Sequence, residues 1–349
     1  MSPSQTETVL VTGASGFIAG YVIEELLRHG YTVRGTVRDV ARTEKTTHLT
    51  ALAAQLGGRL EFVAARLDTD EGWADAVAGC TFVLHTASPN PPAIPRDEDE
   101  VIRPAVDGTL RVLRAASASG TVRRLVLTSS SLTVNAGRNE PKDGWHTEDD
   151  WSLPEACTPY AKSKLLAERA AWTFLDDLPE DRRLDLVAVI PGLVLGPLQR
   201  PEVSTSTVVV QRLLNRSMPA VPNIGWSIVD VRDIAVAHRL AMESPKAPGN
   251  RYLCGGTYTG MRDMAHVLAA EFAPQGFHVP TLRLPYPAMW LAARFDPALR
   301  VALDFVGRER LSSQKAIDEL GWTSRSSAEI LRDTGQSLID HGLVHSRHK

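Results

Sequence analysis

Cysteine is scarce in this chain: Cys80, Cys157 and Cys254 are the only three in 349 residues. They lie far apart with no CxxC spacing, so neither a disulfide framework nor a cysteine-bound zinc is expected, and a reducing, cytoplasmic setting is the simplest reading. Long apolar runs are missing too. The longest, around "LVAVIPGLVLGPL", is interrupted by Pro191 and is too short to cross a bilayer, and the start "MSPSQTETVLVTG" has no basic stretch leading into an apolar one. A membrane is therefore not an expected partner. Basic blocks are absent as well: 38 Lys and Arg face 41 Asp and Glu for a net charge of −3, which speaks against nucleic acid. No HExxH spacing among the ten histidines marks a zinc site, and no metal is expected.

What is present is ordinary soluble composition, 43% hydrophobic and 23% charged, in a chain long enough for two domains or one with an appended lobe. Six short runs, "VLVTG", "TVRGTV", "LEFVAA", "FVLHTAS", "RRLVLTSS" and "LDLVAVIPG", alternate with helix-length segments. Apolar strands alternating with helices predict an α/β fold, a doubly wound parallel sheet buried on both faces. After Pro191 the pattern loosens, through "GPLQRPEVSTSTVVVQRLL", "SMPAVPNIGW" and "PTLRLPYPAMWLAARF". The expected division is a nucleotide-binding domain over 1–190, with 228–256 returning to it, and a smaller substrate lobe formed mainly by 191–349. The acidic "RDEDE" at 96–100 reads as a solvated helix start, where carboxylates are favoured.

Directly after the first run, "VTGASGFIAG" sets Gly13, Gly16 and Ala19 at the opening of a helix. Small residues there permit a tight turn, close approach of a pyrophosphate to the backbone and close helix packing, while the helix N-terminus favours an anion. This predicts a Rossmann-type dinucleotide site. Arg38 ends the second run, where an NAD-selective protein carries an acidic residue, and Lys45 follows; a guanidinium there suits a 2′-phosphate, so the expected cofactor is NADP(H). A second reading stands beside it: Asp39 accepts the ribose hydroxyls and Arg38 is a surface charge.

In "TPYAKSKLLAERAAW", Thr158 is a candidate N-cap, Pro159 suits the first helical position, and Tyr160 and Lys164 then share one face at i and i+4. An ammonium beside a phenol is expected to lower the phenol's pKa and make it a usable proton donor and acceptor. Ser130, at the end of the fifth run, is placed to hydrogen-bond the same substrate oxygen. Taken alone, a tyrosine and lysine four apart mean little; the order of glycine loop, serine triplet and YxxxK gives them meaning.

"VTGASGFIAG", "TVRD", "HTASP", "LVLTSSSLTVN", "YAKSKLLAERAAW" and "VIPGLVLGP", with "VDVRDIAVAHRLAM" and "SSQKAIDELGW" further on, resemble the extended short-chain dehydrogenase/reductases, in particular their dihydroflavonol 4-reductase-like and carbonyl reductase branch. The resemblance implies a Ser-Tyr-Lys triad carried by Ser130, Tyr160 and Lys164, with Lys164 also holding the nicotinamide ribose. It implies cofactor contacts from Gly13, Ser15, Gly16, Phe17 and Ile18, from Arg38 and Lys45, from Leu67 and Asp68, from Thr86 and Ala87, from Tyr160 and Lys164, and from Pro191 and Val194. One departure stands out: Arg66 replaces the aspartate such relatives use against the adenine, so either Asp68 takes over or arginine stacking and main chain hold the base.

Ligands in such sheets bind beyond the C-terminal strand ends, which points to Ser88 and Pro89 (in "SPNPP"), Thr133, Val134 and Trp226 as substrate neighbours. Trp226 is read equally well as a core tryptophan of the lobe. The activity implied is NADPH-dependent reduction of an aldehyde or ketone, with a small-molecule carbonyl as partner and a monomer or homodimer as assembly. A nucleotide-sugar epimerase or dehydratase, or a non-catalytic NADP(H)-binding regulator, are the competing readings.

Overall fold

All six β-branched runs become strands. In the computed structural model, which describes residues 7–89, 97–137, 144–284, 294 and 310–346, they are β1 (Thr8–Val11), β2 (Thr32–Val37), β3 (Arg59–Ala64), β4 (Phe82–His85), β5 (Arg124–Thr128) and β6 (Asp185–Pro191). A seventh, β9 (Arg251–Cys254), pairs in parallel with β6, and the sheet runs β3-β2-β1-β4-β5-β6-β9. Every pairing in it is parallel. The central strands β1, β4, β5 and β6 are buried almost throughout, as expected of a sheet covered on both faces. β3 departs from that reading: it is the edge, several of its side chains are exposed, and Glu61 spends its charge on Arg34 of β2 at 2.5 Å.

Helices α1 (Phe17–Arg28) and α7 (Val231–Glu243) pack together on one face, and α4 (Asp99–Ala118) and α5 (Pro159–Asp176) pack together on the other. α1 presents Val22, Ile23, Leu26 and Leu27 to the first core, the helical spacing of an amphipathic element. α4 starts within the acidic run, with Asp99 and Glu100 in its first turn. Arg124 of β5 caps the far end of α7 by donating to the carbonyls of Ala241, Met242 and Ser244, a cation where the helix dipole is negative.

The lobe is built on a second sheet in which β8 (Gly225–Asp230) lies between β7 (Leu193–Leu195) and β10 (Thr257–Gly260). Helices α6 (Val208–Leu214), α8 (Met261–Phe272) and α10 (Ser327–Asp340) close a separate core around Phe272, Leu213 and Leu331. α9 (Gln314–Leu320) does not join that core. Its Ala316 and Leu320, with Trp322, pack into the cluster under α1 and α7, and the Trp322 indole donates to the Asp233 carbonyl at 2.8 Å. Thus both β9 and the segment around 314–322 return to the large sheet. Most of "PTLRLPYPAMWLAARF" and the "NPP" of "SPNPP" lie outside the described residues.

Candidate active site

A parallel sheet brings all its C-terminal strand ends to one edge, so the loops after β1, β2, β4, β5 and β6 form a row there. The loop after β1 is drawn tightly against its neighbours: Gly13 N–H donates to Thr36 Oγ1 at 2.9 Å, and the Ala14 N–H to the Thr36 carbonyl. Gly13 has φ +68, and a Cβ there would stand 3.0 Å from that of Ala87, so only glycine suits the position. Gly16 begins α1 with no side-chain cap, and no acidic residue lies in its first turn. The amides and helix dipole there favour an anion, and no described side chain competes for them. Ser15, Phe17 and Ile18 are half-buried around this turn, as are Thr86 and Ala87 opposite.

Beneath the loop, Thr12 Oγ1 accepts from the Ala87 N–H at 3.0 Å and meets His85 Nδ1 at 2.8 Å. His85 is 1% exposed, and burial, reinforced by Lys164, pushes its pKa down to about 3. This neutral histidine was not signalled by any motif.

On the adenosine side, Arg38 is exposed at the end of β2, whereas Asp39 is engaged locally, accepting from the Ala41 N–H at 2.9 Å and facing Arg42. One oxygen of Asp39 is thus occupied within its own loop, while no hydrogen bond or ion pair of Arg38 is found among the described residues. Lys45 lies 3.6 Å from Glu202. That carboxylate also holds Arg200 at 2.8 Å, and Arg200 in turn donates to the Ser15 carbonyl at 2.9 Å. Arg200 and Glu202 went unnoticed in the sequence because they come from the loop after β7, far along the chain. Arg66 and Asp68 form a two-bonded ion pair with each other at 2.9 and 2.7 Å, which holds the Asp68 pKa down to about 2. Leu67 between them packs on Gly108, and its carbonyl accepts from Arg111.

The helix bearing YxxxK starts as its sequence dictates, with Thr158 Oγ1 accepting from the Ala161 N–H and Pro159 in the first turn. Lys164 is 8% exposed, and its Nζ donates to the Thr128 carbonyl at 2.8 Å. Burial lowers its pKa to about 8, with Glu168 one turn on opposing the change. Thr128 Oγ1 in turn meets His238 Nε2 at 2.7 Å, and His238 Nδ1 meets the Ile234 carbonyl.

The expected depression of the Tyr160 pKa is not found. Burial raises the pKa instead, although the residue keeps 38% of its surface exposed. The Lys164 ammonium is directed to a main-chain carbonyl, and Tyr160, its pKa raised by burial, is a protonated phenol at neutral pH, a donor.

Among the three serines, Ser130 is the half-buried one; its Oγ accepts from the Leu132 N–H at 3.3 Å as cap of the 3-10 turn Ser131–Thr133. Ser129 is buried with its hydroxyl donating to Glu168, and Ser131 is 7% exposed. Thr133 and Val134 are corrections: both are 0% exposed. The Thr133 hydroxyl donates to the Ser130 carbonyl at 2.9 Å, and Val134 packs on Ile190 and Leu253, so both side chains support the turn rather than line the cleft. Pro191 and Val194 are also buried, Val194 within the core under α1. Ser88 and Pro89 are half-buried beyond Ala87. Trp226 lies on strand β8, paired with Thr259, and packs half-buried against the lobe's core, which makes it less of a loop residue than "PNIGWS" suggests. His341 and His345 share HxxxH spacing, but His341 Nε2 meets the Leu198 carbonyl at 2.9 Å, and among the described residues no three potential metal ligands cluster. No helix among them is long and apolar enough to cross a membrane.

The sequence and fold match known proteins over three quarters or more of their length. Residues 9–255 match the family model described as the NAD dependent epimerase/dehydratase family. The chain is 34% identical over 342 residues to tetraketide alpha-pyrone reductase 1 of Arabidopsis thaliana, covering 96% of each. It is 39% identical over 272 residues to cinnamoyl-CoA reductase 2 of Medicago truncatula, covering 76% of this chain and 77% of that one. Its fold is similar to yeast methylglyoxal/isovaleraldehyde reductase complexed with NADPH, with TM-score 0.80, 27% identity, and coverage of 97% and 100%. The chain belongs to the NAD dependent epimerase/dehydratase family, the extended short-chain dehydrogenase/reductases.

Proposed function

We propose that the protein is an NADPH-dependent reductase that converts an aldehyde or ketone to the alcohol. What supports this reading is that Tyr160 and Lys164 share one face of α5, the helix that packs against the serine turn, with Lys164 buried and Ser130 half-buried. NADPH, when bound, supplies the hydride. Tyr160 donates its proton to the oxygen that gains charge as the carbonyl is reduced, and Ser130 donates a hydrogen bond to the same oxygen. Lys164, held by the Thr128 carbonyl one helical turn beyond Tyr160, supplies positive charge on the same face of the helix, which favours the phenolate as the proton leaves. The glycine loop and the α1 N-terminus receive the pyrophosphate, with Arg38 and Lys45 on the 2′-phosphate.

The relatives are named for a tetraketide pyrone, cinnamoyl-CoA, methylglyoxal and isovaleraldehyde, so carbonyl reduction is common to them while carbonyl size is not. The test is loss of NADPH absorbance with a panel running from small aldehydes to bulky aryl ketones. Oxidation by at least one carbonyl compound supports the reading; none by any member, with NADPH bound, refutes it.

A further inference from the structure

A buried ionic cluster reaches both ends of the turn that carries Ser130. Glu168 of α5 is 1% exposed and Arg251 of β9 is 8% exposed. Arg251 Nε donates to Glu168 Oε1 at 2.7 Å, the Trp172 indole donates to the same oxygen at 3.3 Å, and the other oxygen, Oε2, accepts from the Ser129 hydroxyl. The other side of the guanidinium reaches the far end of the serine turn: Arg251 Nη2 donates to Thr133 Oγ1 at 3.2 Å, and that hydroxyl donates to the Ser130 carbonyl. Nη1 donates to the carbonyls of Glu148 and Asp150, and the guanidinium stacks on the Trp151 ring with 3.6 Å to its centroid.

We propose that Glu168 and Arg251 are positioning residues for Ser130: the ion pair grips the residue before it and the residue three after it, fixing the turn from both ends. Taking two charges out of water costs several kcal/mol each, and apolar residues of similar volume often serve stability as well or better. Two of the hydrogen bonds that satisfy the rest of this pair fall on Ser129 and Thr133, on either side of Ser130. The pair also joins α5, which carries Tyr160 and Lys164, to the strand end that carries Ser130. Thus one cluster sets the spacing between the proton donor and the second hydrogen-bond donor. Glu168, one helical turn beyond Lys164, also favours that lysine's charged form.

The proposal rests on the reductase reading for its catalytic consequence but not for its structural one, and the experiment separates them. Amide hydrogen exchange across residues 124–137 is compared in the full chain, in Glu168→Gln and in Ser129→Ala, which removes one hydroxyl and leaves the ion pair intact. Faster exchange confined to the serine turn is the expected result; unchanged exchange there, in variants that keep the parent's melting temperature within a few degrees, overturns the clamp. This arm is independent of any substrate, so failure of the parent to oxidise NADPH with a carbonyl refutes the proposed activity alone.

With a carbonyl that the parent reduces, Ser129→Ala and Glu168→Gln should lower kcat roughly tenfold or more, approaching the about 10²-fold that a misplacement of about 1 Å can cost. NADPH affinity, measured by fluorescence titration, should hold. In a Ser130→Ala background the same substitutions should cost little further, since the group they position is gone. Equal, additive losses with and without the Ser130 hydroxyl overturn the proposal and leave the pair a stabilising one. Should Glu168→Gln fail to fold, Ser129→Ala carries both arms.

Discussion

At the triad end of the cleft, Lys164 is 8% exposed, Ser129 and Glu168 are buried, and His85 and His238 stand neutral behind them, each group tied by a hydrogen bond to a strand end. At the adenosine end, Arg38, Lys45, Arg66 and Asp68 are exposed, and the charges that pair do so with one another across the surface. The first region is over-determined: each buried polar atom has a specific partner, because leaving one unsatisfied costs about 1–3 kcal/mol. The second is a balance of solvated charges, in which solvent screens each pair. A substitution at the triad end should therefore act on chemistry in large steps. At the adenosine end it should act on affinity and selectivity in small ones.

The largest effect expected is from Tyr160→Phe. The ring stays and the proposed proton donor goes, so kcat should drop by about 10²–10⁴-fold while NADPH binding, followed by fluorescence, stays near the parent's. A variant that loses affinity in the same proportion as kcat would put the phenol on the cofactor and blur the distinction between the two ends.

The neutral histidines sharpen the contrast through pH. Burial pushes His238 down to about 4 and His85 to about 3, from an ordinary 6.5. As pH falls below about 6.5 the unfolded chain takes up protons that the folded one refuses, so stability is full above that pH and is lost through the window down to about 4, by up to about 1.4 kcal/mol per pH unit for each histidine. The buried carboxyls Glu148 and Asp233, whose pKa values burial raises, act in the opposite sense. The melting temperature should fall steadily between about pH 6.5 and 4, and less steeply in His238→Gln. A flat profile would mean that the triad end is wetter than its packing implies.

At the other end, Arg38→Glu tests selectivity. A charged hydrogen bond to a phosphate contributes roughly 1.5–3 kcal/mol, about ten- to a hundredfold in affinity. NADPH binding should weaken by that factor and NADH binding hold, in paired titrations. If both weaken alike, Arg38 acts on a part common to the two nucleotides.

The same division explains what the sequence makes legible. Strands of the central sheet announce themselves because double-sided burial demands continuous apolar runs, and the triad because helix capping at Thr158 and Pro159 fixes where Tyr160 and Lys164 point. Local rules are enough for both. Ser130 could be singled out from its neighbours only by family likeness, and the reason appears in three dimensions, where Ser129 is taken by Glu168, 39 residues along the chain. Arg251 and Arg200 are invisible to any spacing rule, since they reach the site from segments that only the fold brings near. The pKa of Tyr160 escapes the sequence for the same cause: the spacing to Lys164 is written there, but the burial that raises the phenol's pKa is not. Thr133 and Val134 follow a strand end, as a cleft-lining residue should, yet the 3-10 turn rotates both side chains inward.

The smallest effect expected, and the most direct probe of the surface balance, is at Glu202. Its carboxylate stands 2.8 Å from Arg200 and 3.6 Å from Lys45, beside the Ser15 carbonyl that Arg200 also holds. An anion already lies between two cations at the mouth of a site that must take up a more highly charged one. Lys45 and Glu202 are each about half exposed, so the attraction is screened, and releasing it should be worth no more than about 1 kcal/mol. Glu202→Gln should then tighten NADPH by up to about fivefold. The gain should be greatest at low salt, fading as the Debye length shrinks toward about 8 Å near physiological ionic strength. NADH, which lacks the 2′-phosphate, should gain less. The opposite outcome is informative in its own way. If Glu202→Gln weakens NADPH, the carboxylate holds Arg200 and Lys45 in place for the nucleotide, and the adenosine end is preorganised by ion pairs much as the triad end is by buried hydrogen bonds.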